Sequence, residues 1–223
     1  MGGETLTGTY GHLADAWVST AAAAGARGDI AGVGVQLLGA YADRSRGYHD
    51  LQHLDEVLRH IDKLAPEAED VQLVRLGAWF HDAVYDGAPD AERRSADLAE
   101  SQLRLLKLDE GRVAEVTRLV LLTAGHDPAD GDCNGAVLCD ADLAILAADP
   151  ERYAAYAAGV RSEYSGYDDI RFAAGRTAVL RGLLERPALY RTPYGREHWE
   201  RPARHNVSKE LALLGLAAGY DGT

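Results

Sequence analysis

The sequence has few of the features that mark disulfide-rich, membrane-spanning or nucleic-acid-binding proteins. Its two cysteines, Cys133 and Cys139, have a spacing that fits neither a disulfide framework nor a cysteine zinc site. No stretch approaches the roughly 20 consecutive apolar residues that are needed to cross a bilayer. Basic residues number 23 against 35 acidic ones, and no basic stripe stands out that would bind nucleic acid. These absences predict two reduced thiols and no membrane or nucleic-acid partner.

The N-terminal residues, Met1 to Thr5, have neither the basic start nor the apolar core of a secretory signal. We therefore expect a cytoplasmic protein, and the sequence leaves a homo-oligomer open. With a formal net charge of -12, an anionic substrate would need local cations, either arginines or a metal ion, to offset electrostatic repulsion.

Runs of β-branched residues are also scarce, and apolar residues recur at helical spacing in most segments. One apolar stripe runs from Leu51 to Leu64, before Pro66. The segment from Val71 to Phe80 is apolar almost all round, which is typical of a helix buried at the centre of a bundle. Further helices are predicted over residues 13–24, 30–41, 91–108, 112–124, 137–147, 151–164, 168–184 and 197–218, with a loop over 127–132. With no internal repeat and no linker, the sequence predicts one all-α domain, a helical bundle over residues 1–223.

The glycine-rich segment 31–35 resembles part of a nucleotide-binding loop. It lacks the preceding strand and the remaining glycines of a dinucleotide fingerprint, so we interpret it as a place where helices pack closely.

Two histidines four positions apart, His49 and His53, are expected to lie one turn apart on the same face of a helix. Taken by itself, such a pair is more readily explained as two half-exposed histidines at the edge of a core.

The adjacent residues His81 and Asp82 end the most apolar helix of the chain. A carboxylate in such a place is costly unless a partner offsets its charge. A divalent metal ion would do so, and imidazole is among its commonest ligands. An ion pair of Asp82 with Arg75 or Arg93 is the alternative, but it would leave the adjacent histidine unexplained.

Asp140 and Asp142 are two residues apart, so they cannot both face one site on a helix. The positions three and four away from Asp142 are all apolar: Leu138, Cys139, Ile145 and Leu146. This pattern places Asp142 on the buried stripe and leaves Asp140 as the weaker candidate. Together with His53 and the pair at 81–82, it makes a set of two imidazoles and two carboxylates. Such a set suits Mn, Fe, Co, Ni or Zn better than Mg or Ca, and leaves room for a water that becomes the nucleophile.

The order of these residues, His…His-Asp…Asp on helices, resembles the HD superfamily of metal-dependent phosphohydrolases. Further blocks are similar to one family of predicted bacterial HD phosphohydrolases: Tyr48-His49-x-x-x-His53-Leu54, Trp79-Phe80-His81-Asp82-x-Val84-Tyr85-Asp86, Glu92-x-x-Ser95-Ala96, Thr123-x-x-His126, Asp140-x-Asp142-Leu143-x-Ile145-Leu146, Arg161-x-Glu163-Tyr164, Gly175-Arg176 and Ala203-Arg204-x-Asn206-x-x-x-Glu210. The resemblance runs from about residue 41 to residue 211. It implies an HD-type helical bundle and a phosphohydrolase activity.

A more distant resemblance, to the cyclic-nucleotide phosphodiesterases, implies roles for the two leading histidines. Their Tyr-His-x-x-x-His pattern makes His53 a metal ligand and His49 the acid that protonates the leaving oxygen. Glu92 matches an acidic position of the family and would orient the attacking water, unless it only favours the first turn of its helix. His126 is expected to contact the substrate or the metal ligands, and an ordinary helix-end histidine is the alternative.

Three arginines, Arg161, Arg176 and Arg204, are candidates for binding phosphate, because a guanidinium grips it through two donors. Each could equally pair helices or lie at the surface. The expected function is hydrolysis of a phosphate ester in a small metabolite such as a nucleotide. The alternatives are a non-catalytic HD module that senses a nucleotide and an HD-type di-iron oxygenase. The oxygenase is disfavoured because the interval that supplies ligands for a second ion contains one histidine, His126.

Overall fold

A computed structural model describes residues 9–218, and it is all-helical over that range, as the sequence predicts. Residues Met1 to Thr5, on which the expectation about a secretory signal depends, lie outside the described residues. The helices are α1 (His12–Ala23), α2 (Ile30–Tyr41), α3 (Leu51–Leu64), α4 (Val71–Phe80), α5 (Ala91–Leu105), α6 (Glu110–Leu122), α7 (Cys133–Leu143), α8 (Pro150–Glu163), α9 (Asp169–Glu185), α10 (Pro193–His198) and α11 (Glu200–Ala218). None of these helices combines the length and the apolar character that crossing a bilayer requires.

Most predicted helices agree with the structure to within a few residues, and two segments differ. The six-residue helix α10 was not predicted, because it is too short to show a period; it begins where the Thr192 hydroxyl accepts a hydrogen bond from the Gly195 amide at 3.0 Å. The helix predicted over 137–147 begins earlier, at Cys133, and is α-helical only to Leu143, after which a 3-10 turn continues to Ala147.

Aspartate side chains begin many of the helices. The residue before the first helical position accepts hydrogen bonds from main-chain amides of the first turn at Asp29, Asp50, Asp70, Asp109, Asp149 and Asp168. A carboxylate in this position satisfies amides that have no partner within the helix and interacts favourably with the helix dipole. Part of the acidic excess is therefore used to begin helices.

The described residues form two compact units, which are divided after Asp142. Whether they make up a single domain stays a prediction. The second unit packs α9 and α10 against α11, and Leu180, Tyr190, Ala203 and Val207 are fully buried there.

Helix α4 is the centre of the first unit, as its apolar sequence predicts. It packs against α1, α3, α5 and α6, and Leu76, Trp79 and Phe80 are completely buried. Gly77 permits a close approach, since a Cβ atom there would lie 3.1 Å from Leu138 Cδ2 and 3.3 Å from Leu119 Cβ. The C-terminal part of α4 is therefore packed closely against α6 and α7.

The glycine-rich segment 31–35 belongs to helix α2, where α2 packs against α1, and not to a loop. Gly34 of α2 faces Trp17 of α1, which is fully buried and donates its indole N–H to the main-chain oxygen of Ile30 at 2.6 Å. A Cβ atom at residue 34 would overlap the indole ring.

We expect Gly34→Ala to lower the free energy of unfolding by about 1–3 kcal/mol, because overpacking forces a buried ring to shift. Gly39→Ala in the same helix is the matched control: a Cβ atom there meets nothing within 4 Å, and alanine favours the helix. Urea denaturation of both variants measures the difference. Equal stability of the two would show that the close approach of Trp17 contributes nothing.

Candidate metal centre

Three helix termini meet at one place in the first unit. His53 lies in the first turn of α3, His81 and Asp82 follow directly after α4, and Asp142 is the penultimate residue of α7. Both histidines are at most 2% exposed, and both carboxylates keep 14% of their side-chain surface exposed. The four residues that the sequence predicts as metal ligands are thus brought together.

The ligand atoms converge closely. The Nε2 atoms of His53 and His81 are 3.1 Å apart, and Asp82 Oδ2 lies 3.3 Å and 3.1 Å from them respectively. These three residues form a group that could hold a metal ion, with all three atoms within 4.8 Å of one another. Asp142 Oδ1 lies 3.3 Å from His53 Nε2 and 3.6 Å from His81 Nε2.

These separations match those of neighbouring ligands around one ion. Ligand atoms at about 2.1 Å from a metal are about 3.0 Å apart at right angles and about 3.4 Å apart in a tetrahedron. The hydrogen bond at the opposite side of the His81 ring, from Nδ1–H to the main-chain oxygen of Ala78 at 2.7 Å, leaves the Nε2 lone pair for the cluster.

The position of the two carboxylates favours a nearby positive charge. Asp82 and Asp142 lie at C-terminal ends of helices, where the helix dipole disfavours a negative charge. The arginines proposed as alternative partners are engaged elsewhere: Arg75 binds Asp62 at 2.6 Å and Arg93 binds Asp97 at 3.1 Å. The ion-pair alternative is therefore wrong.

The pKa values of the four residues also indicate that the cluster attracts positive charge. Burial lowers the pKa of His81, but Asp82 and Asp142 outweigh it and the pKa lies well above its usual value. Burial raises the pKa of Asp82, but His81, His49 and His53 together outweigh it and the pKa lies well below its usual value. The pKa of His53 is raised and that of Asp142 is lowered in the same way. The carboxylates stay ionised and draw positive charge, which a divalent ion would supply in place of imidazole protons.

His126 orients Asp142. Its Nε2 lies 2.7 Å from Asp142 Oδ2, while the other carboxylate oxygen faces the two imidazoles. The backbone of His126 has a φ of 48°, in the left-handed region that costs a residue with a side chain roughly 1–2 kcal/mol. The contact with Asp142 offers a physical reason for this strained position after α6.

His49 lies close to the cluster but not on the helix that the sequence predicted for it. The Asp50 carboxylate accepts hydrogen bonds from the amides of Gln52 and His53 at 2.8 Å and 3.2 Å, so α3 begins after His49. The His49 ring centroid is 5.5 Å from that of His53, and it stacks on Tyr85 at 4.1 Å with an interplanar angle of 27°.

The other predicted site residues have the following places. Glu92 lies half-buried in the first turn of α5, and its role with the attacking water stays a prediction. The three arginines belong to the second unit and donate to groups within it: Arg161 to Asp169 at 2.6 Å, Arg176 to Glu210 at 2.8 Å and Arg204 to Glu200 at 2.6 Å. Their phosphate-binding role also stays a prediction.

Arg46 was not predicted as a site residue, yet it donates hydrogen bonds to the main-chain oxygens of both His49 and Asp82. A loop arginine has no period or ligand spacing to mark it, so the sequence carries no signal for this role.

Cys133 and Cys139 are free thiols, as predicted.

No protein-family model, curated protein or solved structure matches this chain. The resemblance to HD phosphohydrolases therefore depends on the motifs alone and stays a prediction.

Proposed function

We propose that this protein is a metal-dependent phosphohydrolase of the HD type, which hydrolyses a phosphate ester of a small metabolite such as a nucleotide. The observation that supports it most is the meeting of two imidazoles and two carboxylates, His53, His81, Asp82 and Asp142, with a further histidine beside them. The nitrogen and oxygen ligand set favours Mn, Co, Fe, Ni or Zn over Mg.

Each residue near the cluster has a task in this proposal. A divalent ion held by His53, His81, Asp82 and Asp142 would supply Lewis acidity and lower the pKa of a bound water. His49 donates a ring proton to the leaving oxygen as water attacks phosphorus and the P–O ester bond breaks. One proton of the water stays on the phosphate product, and the other passes to solvent, from which His49 is protonated again. Stacking on Tyr85 holds the His49 ring, and His126 holds Asp142 so that one carboxylate oxygen faces the imidazoles.

The proposal is tested by metal analysis of the purified protein and a phosphate-release screen. We expect one transition-metal ion per chain and phosphate release that depends on Mn or Co, across a panel of nucleotides and phosphorylated metabolites. Tight nucleotide binding without phosphate release under any metal would favour the sensing module. Two irons per chain with a mixed-valence spectrum would favour the oxygenase.

The variant His49→Gln separates chemistry from metal binding. We expect it to keep the bound metal and to lower kcat about 10²–10⁴-fold, because the ring donates a proton and binds no metal. His198→Gln is the control, since that histidine is half-exposed and pairs only loosely with Glu197 at 3.9 Å in the second unit. An unchanged kcat in His49→Gln would refute the role of His49 in protonating the leaving oxygen.

A further inference from the structure

A single arginine ties together the two turns that carry His49 and Asp82. Arg46 lies half-buried in the turn between α2 and α3. Its Nη1 donates to the main-chain oxygens of His49 at 2.7 Å and of Asp82 at 2.8 Å, and its Nη2 donates to that of Ala83 at 3.3 Å. The guanidinium therefore bridges the turn before α3 and the turn after α4, which are far apart in sequence.

Aromatic rings hold the same guanidinium. Arg46 Cζ lies 5.0 Å from the ring centroid of Tyr41 and 5.7 Å from that of Tyr85. Tyr85 also stacks on His49, and the Tyr41 hydroxyl accepts a hydrogen bond from the Asp82 amide at 3.3 Å. The main chain around both functional residues is thus connected to one planar group.

The chemistry of this contact requires arginine. Three main-chain oxygens from two turns accept from one planar fork of donors, and that fork also lies against aromatic rings. The ammonium of a lysine is a point charge on a flexible stem, and it cannot keep these directions together. Without any donor, the three oxygens would lose partners in a partly buried place.

We propose that Arg46 is a positioning residue that fixes His49 relative to Asp82, and thus relative to the phosphate ester at the metal centre. The role towards His49 rests on the proposed phosphohydrolase function. The role towards Asp82 does not, because it concerns metal binding alone.

Two measurements on Arg46→Met test the two roles separately. The first is Mn²⁺ affinity by calorimetry, which we expect to fall about 10–100-fold, as is usual when a partner that orients a metal ligand is lost. The second is hydrolysis of aryl and alkyl phosphates whose leaving groups range from good to poor. A good leaving group needs little protonation, so we expect a small loss of kcat for p-nitrophenyl phosphate and a loss at least tenfold larger for an alkyl phosphate.

Arg44→Met is the matched control, because Arg44 lies two residues away in the same turn, is exposed, and makes no hydrogen bond or ion pair among the described residues. It should behave as the wild type in both measurements. Arg46→Lys keeps the charge and is expected to show the same pattern as Arg46→Met; it also serves if the methionine variant does not fold.

The outcomes are distinct. Unchanged Mn²⁺ affinity together with an equal loss for all leaving groups would overturn the proposal. If the wild type hydrolyses none of the esters, the role towards His49 falls with the proposed function, while weaker Mn²⁺ binding in the variants would uphold the role towards Asp82.

Discussion

Replacing Asp82 with alanine is expected to abolish stable metal binding and phosphate release while the helical fold survives. The carboxylate lies 3.1 Å and 3.3 Å from two imidazole nitrogens, so its loss removes a direct ligand and a charge. Loss of a residue that only orients a ligand costs about 10–100-fold in metal affinity, and we therefore expect more than 100-fold here. The fold should survive because α4 buries its apolar residues independently of residue 82.

Thermal unfolding with and without Mn²⁺ measures this effect. A ligand at 100 times its Kd stabilises the wild type by about 2.7 kcal/mol, and Asp82→Ala should show no such rise in Tm at the same concentration. Asp97→Ala is the control, since Asp97 is an exposed carboxylate of α5 that pairs with Arg93. Metal content in Asp82→Ala equal to that of the wild type would refute the assignment of this ligand.

Replacing Glu210 with alanine is expected to destabilise the protein by about 3–5 kcal/mol, because it leaves a buried guanidinium without its counter-charge. Glu210 accepts from Arg176 at 2.8 Å, and their side chains are 12% and 9% exposed. The hydroxyl of Tyr153 also donates to Glu210, at 2.5 Å, and Arg176 donates to the Tyr156 hydroxyl at 2.9 Å. Burial and the adjacent carboxylate raise the pKa of Tyr153, which keeps the hydroxyl protonated as a donor.

Asp169→Ala provides the contrast for this prediction. Asp169 pairs with Arg161 at 2.6 Å, but its side chain is 91% exposed, so its loss should cost at most about 1 kcal/mol. Urea denaturation compares the two variants. An equally small loss of unfolding free energy in both variants would mean that Arg176 does not depend on Glu210 as its counter-charge. That result would favour the predicted role of Arg176 in binding phosphate.

Much of the helical structure could be predicted because it depends on local patterns. Helix α4 is apolar almost all round, and its C-terminal residues Leu76, Ala78, Trp79 and Phe80 are completely buried. Its end could be identified as a site because a carboxylate there needs a cation, whatever the surrounding fold. The choice of Asp142 over Asp140 agrees with the distances, since Asp142 Oδ1 lies 3.3 Å from His53 Nε2. The reason given for that choice was wrong, because Asp140 is 1% exposed while the Asp142 side chain keeps 14% of its surface exposed.

Other features could not be predicted because two local signals compete or because distant segments take part. Histidine spacing indicated a helix through His49, but the Asp50 side chain caps α3 after it. The partners of Arg176 and Arg46 lie 34 and 36 residues away along the chain. Nothing in the sequence around either arginine indicates whether its donors meet protein oxygens or a substrate.

By itself the sequence determined the all-helical character of the described residues, the main helix boundaries and the group that could hold a metal ion, His53, His81 and Asp82, because periodicity, capping and the cost of a buried charge act locally. Tertiary structure alone decided the 3.1 Å approach of the two imidazoles, the orientation of Asp142 by His126 and the place of Arg46 between two turns. These depend on how closely helix ends approach one another, and that distance is set by packing between helices, as at Gly77, where Leu119 of α6 and Leu138 of α7 approach α4 closely.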